Sequence, residues 1–210
     1  MTQVAAFDVD GTLTTSDCVV PFLREVAGTP QLVGRLLLHP YSLAAAAWKR
    51  DRDALKEASV VAAFAGRAEA DIQELGEEFA RRVHAERLRP EIVERLDQHL
   101  ANGDAVVLVS ASLETYLDPL ARLLAVNDVL ATKLAADSAG LLTGEIDGPN
   151  CRGPEKVRRL HAWLDEHHGG RDNVHLTAYG DSPGDRELLA DADTAHWVGK
   201  SGSAAAEVTK

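Results

Sequence analysis

The chain alternates short, unbroken apolar runs with longer stretches in which apolar residues recur every three or four positions. Val4-Ala5-Ala6-Phe7, Ala105-Val106-Val107-Leu108-Val109, Val129 to Leu134, Val174 to Tyr179 and Thr194 to Val198 are of the first kind. Their length predicts strands buried on both faces. Asp53 to Phe64, Ala70 to Ala85, Pro90 to Asn102 and Glu155 to His167 are of the second kind and predict amphipathic helices. A further helix, Leu113 to Leu124, would bury Leu113, Leu117, Leu120 and Leu124 behind an N-cap at Ser112. Leu141 to Ile146 reads as a short hairpin arm, and the small, polar tail from Gly199 to Lys210 as a fraying end. One strand, about Gln3 to Asp8, comes first; only helical patterns follow as far as Leu88; strands and helices then alternate. The order predicts an α/β fold, a doubly wound parallel sheet built from residues 1–14 and 89–210, with an all-α insertion at 15–88.

In such a sheet a ligand sits outside the carboxyl ends of the strands. Four polar clusters fall at those ends. Asp8-Val9-Asp10-Gly11-Thr12 closes the first strand. Its two carboxylates are two residues apart, so on an extended chain they point the same way, and Gly11 permits a tight turn. Ser110-Ala111-Ser112 closes the second strand, and Gly153-Pro154-Glu155-Lys156 opens a helix with lysine in its first turn. Gly180-Asp181-Ser182-Pro183-Gly184-Asp185 follows a later strand. Separately, each has an ordinary structural reading: an Asx turn at Asp8, a strand-end serine, a solvated lysine, a Ser-Pro helix start before Asp185. A lysine opposes the dipole at a helix N-terminus, which favours a functional reading of Lys156.

The order acid pair, serine, lysine, acid pair resembles the haloacid dehalogenase superfamily. Within it, the chain is similar to the phosphoserine-phosphatase-like branch (subfamily IB), whose helical C1-type cap is inserted just after the first motif. The resemblance spans Asp8 to Asp185 and implies a phosphoric monoester hydrolase. It places the Asp8 strand centrally, beside those of Ser110 and Asp181. Asp8 would be the nucleophile and form an aspartyl-phosphate; Asp10 would protonate the leaving oxygen and then act as base for water. Ser110 and Lys156 would hold phosphate oxygens, helped by backbone N–H groups around Gly11, Thr12 and Ala111. An anionic nucleophile approaching a phosphate dianion needs a counter-charge. Mg²⁺ suits the hard oxygen donors: Asp8 and Asp181 through side chains, Asp10 through its carbonyl, and Asp185 as ligand or orienter.

The insertion would choose the substrate. Asp17 stands where phosphoserine phosphatases carry an acid that meets the substrate amine, and could equally cap the first helix of the insertion. No arginine lies within Leu55 to Ser59, where their carboxylate-binding arginine aligns; Lys56 does, with Arg50 and Arg52 one turn away. Gly184 replaces their usual asparagine. Asn150 and Arg152 could line the pocket mouth. The apolar stretch Leu32 to Trp48 reads as two helices meeting at His39-Pro40, or as a surface for a lipid head-group substrate. Composition narrows the partners. A formal charge of -11 repels nucleic acid, and 45% hydrophobic residues suffice for a sizeable core. Two distant cysteines, Cys18 and Cys151, suit a reducing compartment. With no signal peptide and no uninterrupted apolar span, the expectation is a cytoplasmic enzyme acting on a small phosphate ester. The rival classes are a lipid head-group phosphatase and a catalytically weak phosphate-binding regulatory module.

Overall fold

The structure, a computed structural model, describes residues 1–28, 63–199 and 206–209. The Leu32 to Trp48 stretch, Arg50, Arg52 and Lys56 therefore lie outside the described residues.

Among the described residues, seven strands form one sheet. They are β1 (Thr2–Phe7), β2 (Ala105–Leu113), β3 (Asp128–Ala136), β4 (Leu142–Asp147), β5 (Val174–Gly180), β6 (Thr194–Trp197) and β7 (Ala206–Thr209), in spatial order β4-β3-β2-β1-β5-β6-β7. The five inner strands are parallel; β4 and β7 are antiparallel edges. The fraying expected for the tail is thus corrected in part, because the backbone of 206–209 pairs with β6. An edge with unsatisfied N–H and C=O groups offers such a segment a ladder that sequence pattern does not reveal.

Alternation along β1 builds two cores. Val4 and Ala6 join one buried cluster, Ala5 and Phe7 the other. Val107 and Val109 face the first with Leu160, Trp163 and Leu164 of the helix Pro154–His168; Val106 and Leu108 face the second. Connections run to one side of β1 through β2 and β3, and to the other through β5 and β6. The carboxyl end of β1 is therefore the topological switch point, and Asp8 is the next residue.

Numbering the helices in chain order, α1 is Val19–Ala27, α2 Glu69–Glu86, α3 Pro90–Asn102, α4 Glu114–Leu123, α5 Pro154–His168 and α6 Arg186–Asp191. The chain leaves the α/β part and returns to it as a pair: Thr14 bridges Leu88, and the Thr15 N–H donates to the Arg87 carbonyl at 2.9 Å. Between these points the described elements are α1 and α2, with an isolated bridge from Ala68 to Leu141. Their apolar faces do not form a separate core. Phe22 of α1, Phe79 of α2 and Tyr116 of α4 meet at 5.0–5.2 Å between ring centroids, continuous with the sheet's own cluster.

The expected N-cap at Ser112 is corrected. β2 runs on through Leu113, with a register irregularity against β3, and α4 begins at Glu114 without a side-chain cap. The Ser112 hydroxyl is drawn instead to a carboxylate described below.

The α2–α4 contact is close enough to test. A β-carbon on Gly76 would stand 2.4 Å from the Thr115 carbonyl oxygen. Alanine is ordinarily favoured over glycine inside a helix by about 1 kcal/mol. Overpacking opposes this, and Gly76→Ala is expected to destabilise the protein by about 1–3 kcal/mol in urea unfolding. A stabilised variant would contradict this packing.

Candidate active site

The turn after β1 brings its carboxylates together. Val9–Leu13 forms a single π-type turn, kinked at Asp10 and at Gly11, where φ is +88°. A side chain at Gly11 would be strained by that φ, and its β-carbon would stand 2.4 Å from Asp181 Oδ2. Glycine thus lets the Asp8–Asp10 loop lie directly against Asp181. The Asp8 N–H donates to the Tyr179 carbonyl at 3.0 Å, which binds the loop's start to β5.

Lys156 lies at the centre. The residue is 1% exposed, and its ammonium donates to Asp8 Oδ1 and Asp185 Oδ1, each at 2.6 Å. Burial alone would push the lysine's pKa down; the two carboxylates outweigh it and hold it above the usual value. Asp185 also accepts from the Ser182 N–H (3.0 Å) and hydroxyl (2.8 Å) in a capping box. Asp185 thus serves two contacts at once: one oxygen caps the turn and the other meets Lys156. Asp8, Asp181 and Asp185 each offer an oxygen, and these lie within 4.8 Å of one another.

Negative charge exceeds what Lys156 can balance. Burial raises Asp8 to about 6, with Lys156 opposing and Asp185 and Asp181 adding to the rise. Burial likewise raises Asp181, and Asp185 adds to it. Oxygen donors this close, with surplus negative charge and no second ammonium among them, fit a hard divalent cation.

Asp10 is held differently. One oxygen accepts the Cys18 N–H at 3.0 Å, and the other accepts the Ser112 hydroxyl. Burial raises this acid to about 7; the Ser112 bond opposes, and Asp17 and Asp8 add to the rise. Ser110 is buried, and its hydroxyl accepts the Ser112 N–H at 3.1 Å.

The structure thus brings Asp8, Asp10, Ser110, Lys156, Asp181 and Asp185 to one end of the sheet, with Gly11 and Thr12 in the turn after β1 and Ala111 near the end of β2. Asp17 stands apart. It is exposed, and its carboxylate accepts the N–H groups of Val19 (3.3 Å) and Val20 (3.1 Å), so it caps α1. Arg152 lies over Gly184, where a β-carbon would meet its Nε at 2.9 Å.

Three residues of this region carry roles that the sequence does not display. Ser112 reads there only as a helix cap. Thr132, buried on β3, places its hydroxyl 3.1 Å from the Ala111 carbonyl and 2.8 Å from Asn150 Oδ1, and so joins the serine turn to the loop before Lys156. Arg89 is buried and donates to the carbonyls of Gly11 and Thr12. Its one visible signal is an arginine at the start of a helix, next to Pro90, at an expected domain boundary.

Comparison with known proteins follows the same lines. The family description "haloacid dehalogenase-like hydrolase" matches residues 5–190. Protein CicA of Caulobacter vibrioides is 39% identical over 190 residues, covering 90% of this chain and 83% of CicA. A histidinol-phosphatase of Neisseria meningitidis is 28% identical, covering 90% of this chain and 86% of its own length. A substrate-bound phosphoserine phosphatase has the same fold, with a TM-score of 0.63 at 16% identity over 93% of this chain and 85% of that one.

The raised acids have a measurable consequence. In chelator, the folded state binds more protons than the unfolded one between the ordinary carboxylate pKa and about 7, so this contribution to stability falls as pH rises through that window. Asp10→Asn is therefore expected to raise the thermal midpoint of the metal-free protein at pH 8, with the gain shrinking toward pH 5. A variant less stable than the parent at pH 8 would show that Asp10 is not held against its charge.

Proposed function

The chain belongs to the haloacid dehalogenase-like hydrolase family; from that premise we propose that it is a phosphatase, a Mg²⁺-dependent phosphomonoesterase for a small metabolite, working through a phosphoryl group carried on Asp8. One observation carries the reading. Asp8 is fixed by a buried ammonium, a second enclosed acid lies two residues on, and two more carboxylates stand within ligand distance.

In the proposed reaction, the Asp8 oxygen attacks phosphorus as the bond from phosphorus to the ester oxygen breaks. The Asp10 carboxyl gives its proton to the departing oxygen. Asp10, now ionised, takes a proton from water as that water attacks phosphorus, and the bond to Asp8 breaks. Phosphate leaves and the starting carboxylates are restored. A general acid works best with a pKa near the operating pH, and Asp10 at about 7 meets that condition. Its two hydrogen-bond donors aim it without neutralising it. Lys156 keeps Asp8 in place and offers positive charge to an incoming phosphate oxygen; the Ser110 hydroxyl serves another. Mg²⁺ held by the Asp8 and Asp181 side chains and the Asp10 carbonyl, with Asp185 beside it, would offset the repulsion between nucleophile and phosphate. Two unit charges about 4 Å apart repel by roughly 4 kcal/mol at an effective dielectric of about 20. A phosphate-binding module without chemistry has no use for an enclosed, proton-bearing Asp10.

For the substrate, we take residues 15–88 as a cap over the strand ends. The names of the relatives point to amine- or hydroxyl-bearing phosphomonoesters. Arg152 makes no side-chain hydrogen bond or ion pair among the described residues and is the proposed contact for an anionic part of the substrate. Asp17 remains a candidate for an amine only if it releases the α1 N–H groups that it caps. The net charge of -11 argues against nucleic-acid substrates.

Phosphate release from a panel of phosphoserine, histidinol phosphate, phosphocholine and sugar phosphates tests this. Turnover is expected with Mg²⁺ and lost with chelator. Asp8→Asn should abolish it, and Asp10→Asn should lower it by about 10²–10⁴-fold while phosphate still binds. Unchanged turnover in Asp10→Asn would overturn the assignment.

A further inference from the structure

The loop carrying Asp8 and Asp10 has a problem of its own. Its kinked turn takes residues 11–13 out of any strand ladder, yet Thr12 and Leu13 are buried and Gly11 half-buried, where unpaired carbonyl acceptors are costly. A single residue, distant in sequence, meets all three. Arg89 Nη2 donates to the Gly11 carbonyl at 3.0 Å, and Nε to the Thr12 carbonyl at 3.2 Å. The Arg89 backbone N–H donates to the Leu13 carbonyl at 2.9 Å.

The residue is buried at 8% exposure, and its one carboxylate partner among the described residues, Glu91, lies at 3.6 Å from Nη1 on the exposed side. Toward the interior the guanidinium faces carbonyl dipoles. A planar fork with several donors suits this task, which a lysine's single ammonium cannot reproduce.

The far side of the same loop faces the acids. Gly11 lies against the Asp181 carboxylate, and the Thr12 hydroxyl approaches Asp181 Oδ1 at 3.5 Å. The loop is therefore held between Arg89 and Asp181. The arginine's charge also acts on Asp181 through this thin layer, favouring its ionised form against burial and Asp185. Holding the Gly11 and Thr12 carbonyls toward Arg89 keeps both from competing for a cation.

Arg89 also occupies a junction. It follows directly on Leu88, which pairs with Thr14 where the chain leaves and re-joins the α/β part, and it precedes the first turn of α3.

We propose that Arg89 is a positioning residue for the catalytic loop: its grip on three successive carbonyls sets Asp8 and Asp10 against Asp181, and ties that spacing to the point where the insertion joins the core. The proposal rests on the functional reading above for its catalytic consequence, but the loop geometry can be read out without turnover. Arg89→Met keeps length and apolar volume and removes the donors; Arg89→Lys restores one charged donor group. Two quantities are measured: kcat and KM on the best phosphomonoester, and the Mg²⁺ concentration giving half the maximal thermal shift without substrate.

Misplaced acids affect the reacting geometry more than substrate capture. Arg89→Met is expected to lower kcat by about 100-fold, with KM changed less than kcat. Its half-saturating Mg²⁺ should rise about tenfold, a loss equivalent to about 1.4 kcal/mol. Arg89→Lys should recover part of both. Glu91→Gln, which leaves the loop bonds intact, should keep kcat within about twofold. If Arg89→Met lowers only the thermal midpoint, with kcat and Mg²⁺ half-saturation within about twofold of the parent, the residue is merely structural and the proposal fails. If Arg89→Met does not fold, Arg89→Gln and Arg89→Lys carry the same comparison. Should the parent hydrolyse no ester, the phosphatase reading fails; the Mg²⁺ titration still decides the role of Arg89.

Discussion

An ammonium sealed among strand ends must find its counter-charge inside the protein, and Lys156 finds it in Asp8 and Asp185 at 2.6 Å each. Removing one member of such a buried pair strands the other, typically at a cost of about 3–5 kcal/mol. The interaction therefore constrains three segments at once: the end of β1, the first turn of α5 and the turn after β5. Lysine is unfavourable at a helix N-terminus, where the dipole is positive. The two carboxylates offset that mismatch. Sheet topology then does the rest, because parallel strands with crossovers on both faces bring their carboxyl ends to one side.

The same constraint sets the chemistry apart from the binding. Asp8 is tied to a cation and points where a phosphate would be held. Asp10, two residues later, is tied to neutral donors, Ser112 and the Cys18 N–H, and keeps a proton near neutral pH. Two acids on one turn thus differ in environment, as nucleophile and proton donor must. Cys18 belongs to the entrance of the insertion, so the proposed proton donor accepts a hydrogen bond directly from the segment proposed to cover the substrate. The continuous aromatic contact of Phe22 and Phe79 with Tyr116 gives that entrance a firm base on the α/β part.

Much of this was legible in the sequence because it follows from local rules. Buried parallel strands read as unbroken apolar runs, and their polar endings mark the site; Asp8, Ser110 and Asp181 were visible that way. Lys156 stood out by opposing a helix dipole, and Asp185 by completing a Ser-Pro helix start. What was not legible depends on partners far apart in the chain. Arg89 acts on carbonyls 76–78 residues away, and a backbone acceptor leaves no mark in a sequence. Ser112 has the right residue type for a helix cap, and only the extra length of β2 turns it toward Asp10. The tail strand was missed because its small and polar residues carry no pattern; it is an edge that supplies the pairing.

The central claim is that phosphorus passes through Asp8, and the direct measurement is to trap it there. The enzyme would be acid-quenched during turnover with Mg²⁺ and its preferred ester, reduced with borohydride, and its N-terminal peptide sequenced by mass spectrometry. An acyl phosphate on Asp8 is reduced to homoserine at that position, and this is the expected result, with Asp10 and Asp181 unmodified. Rapid hydrolysis under single-turnover conditions, with Asp8 unmodified at every quench time, would mean that water attacks the ester directly and would contradict the account.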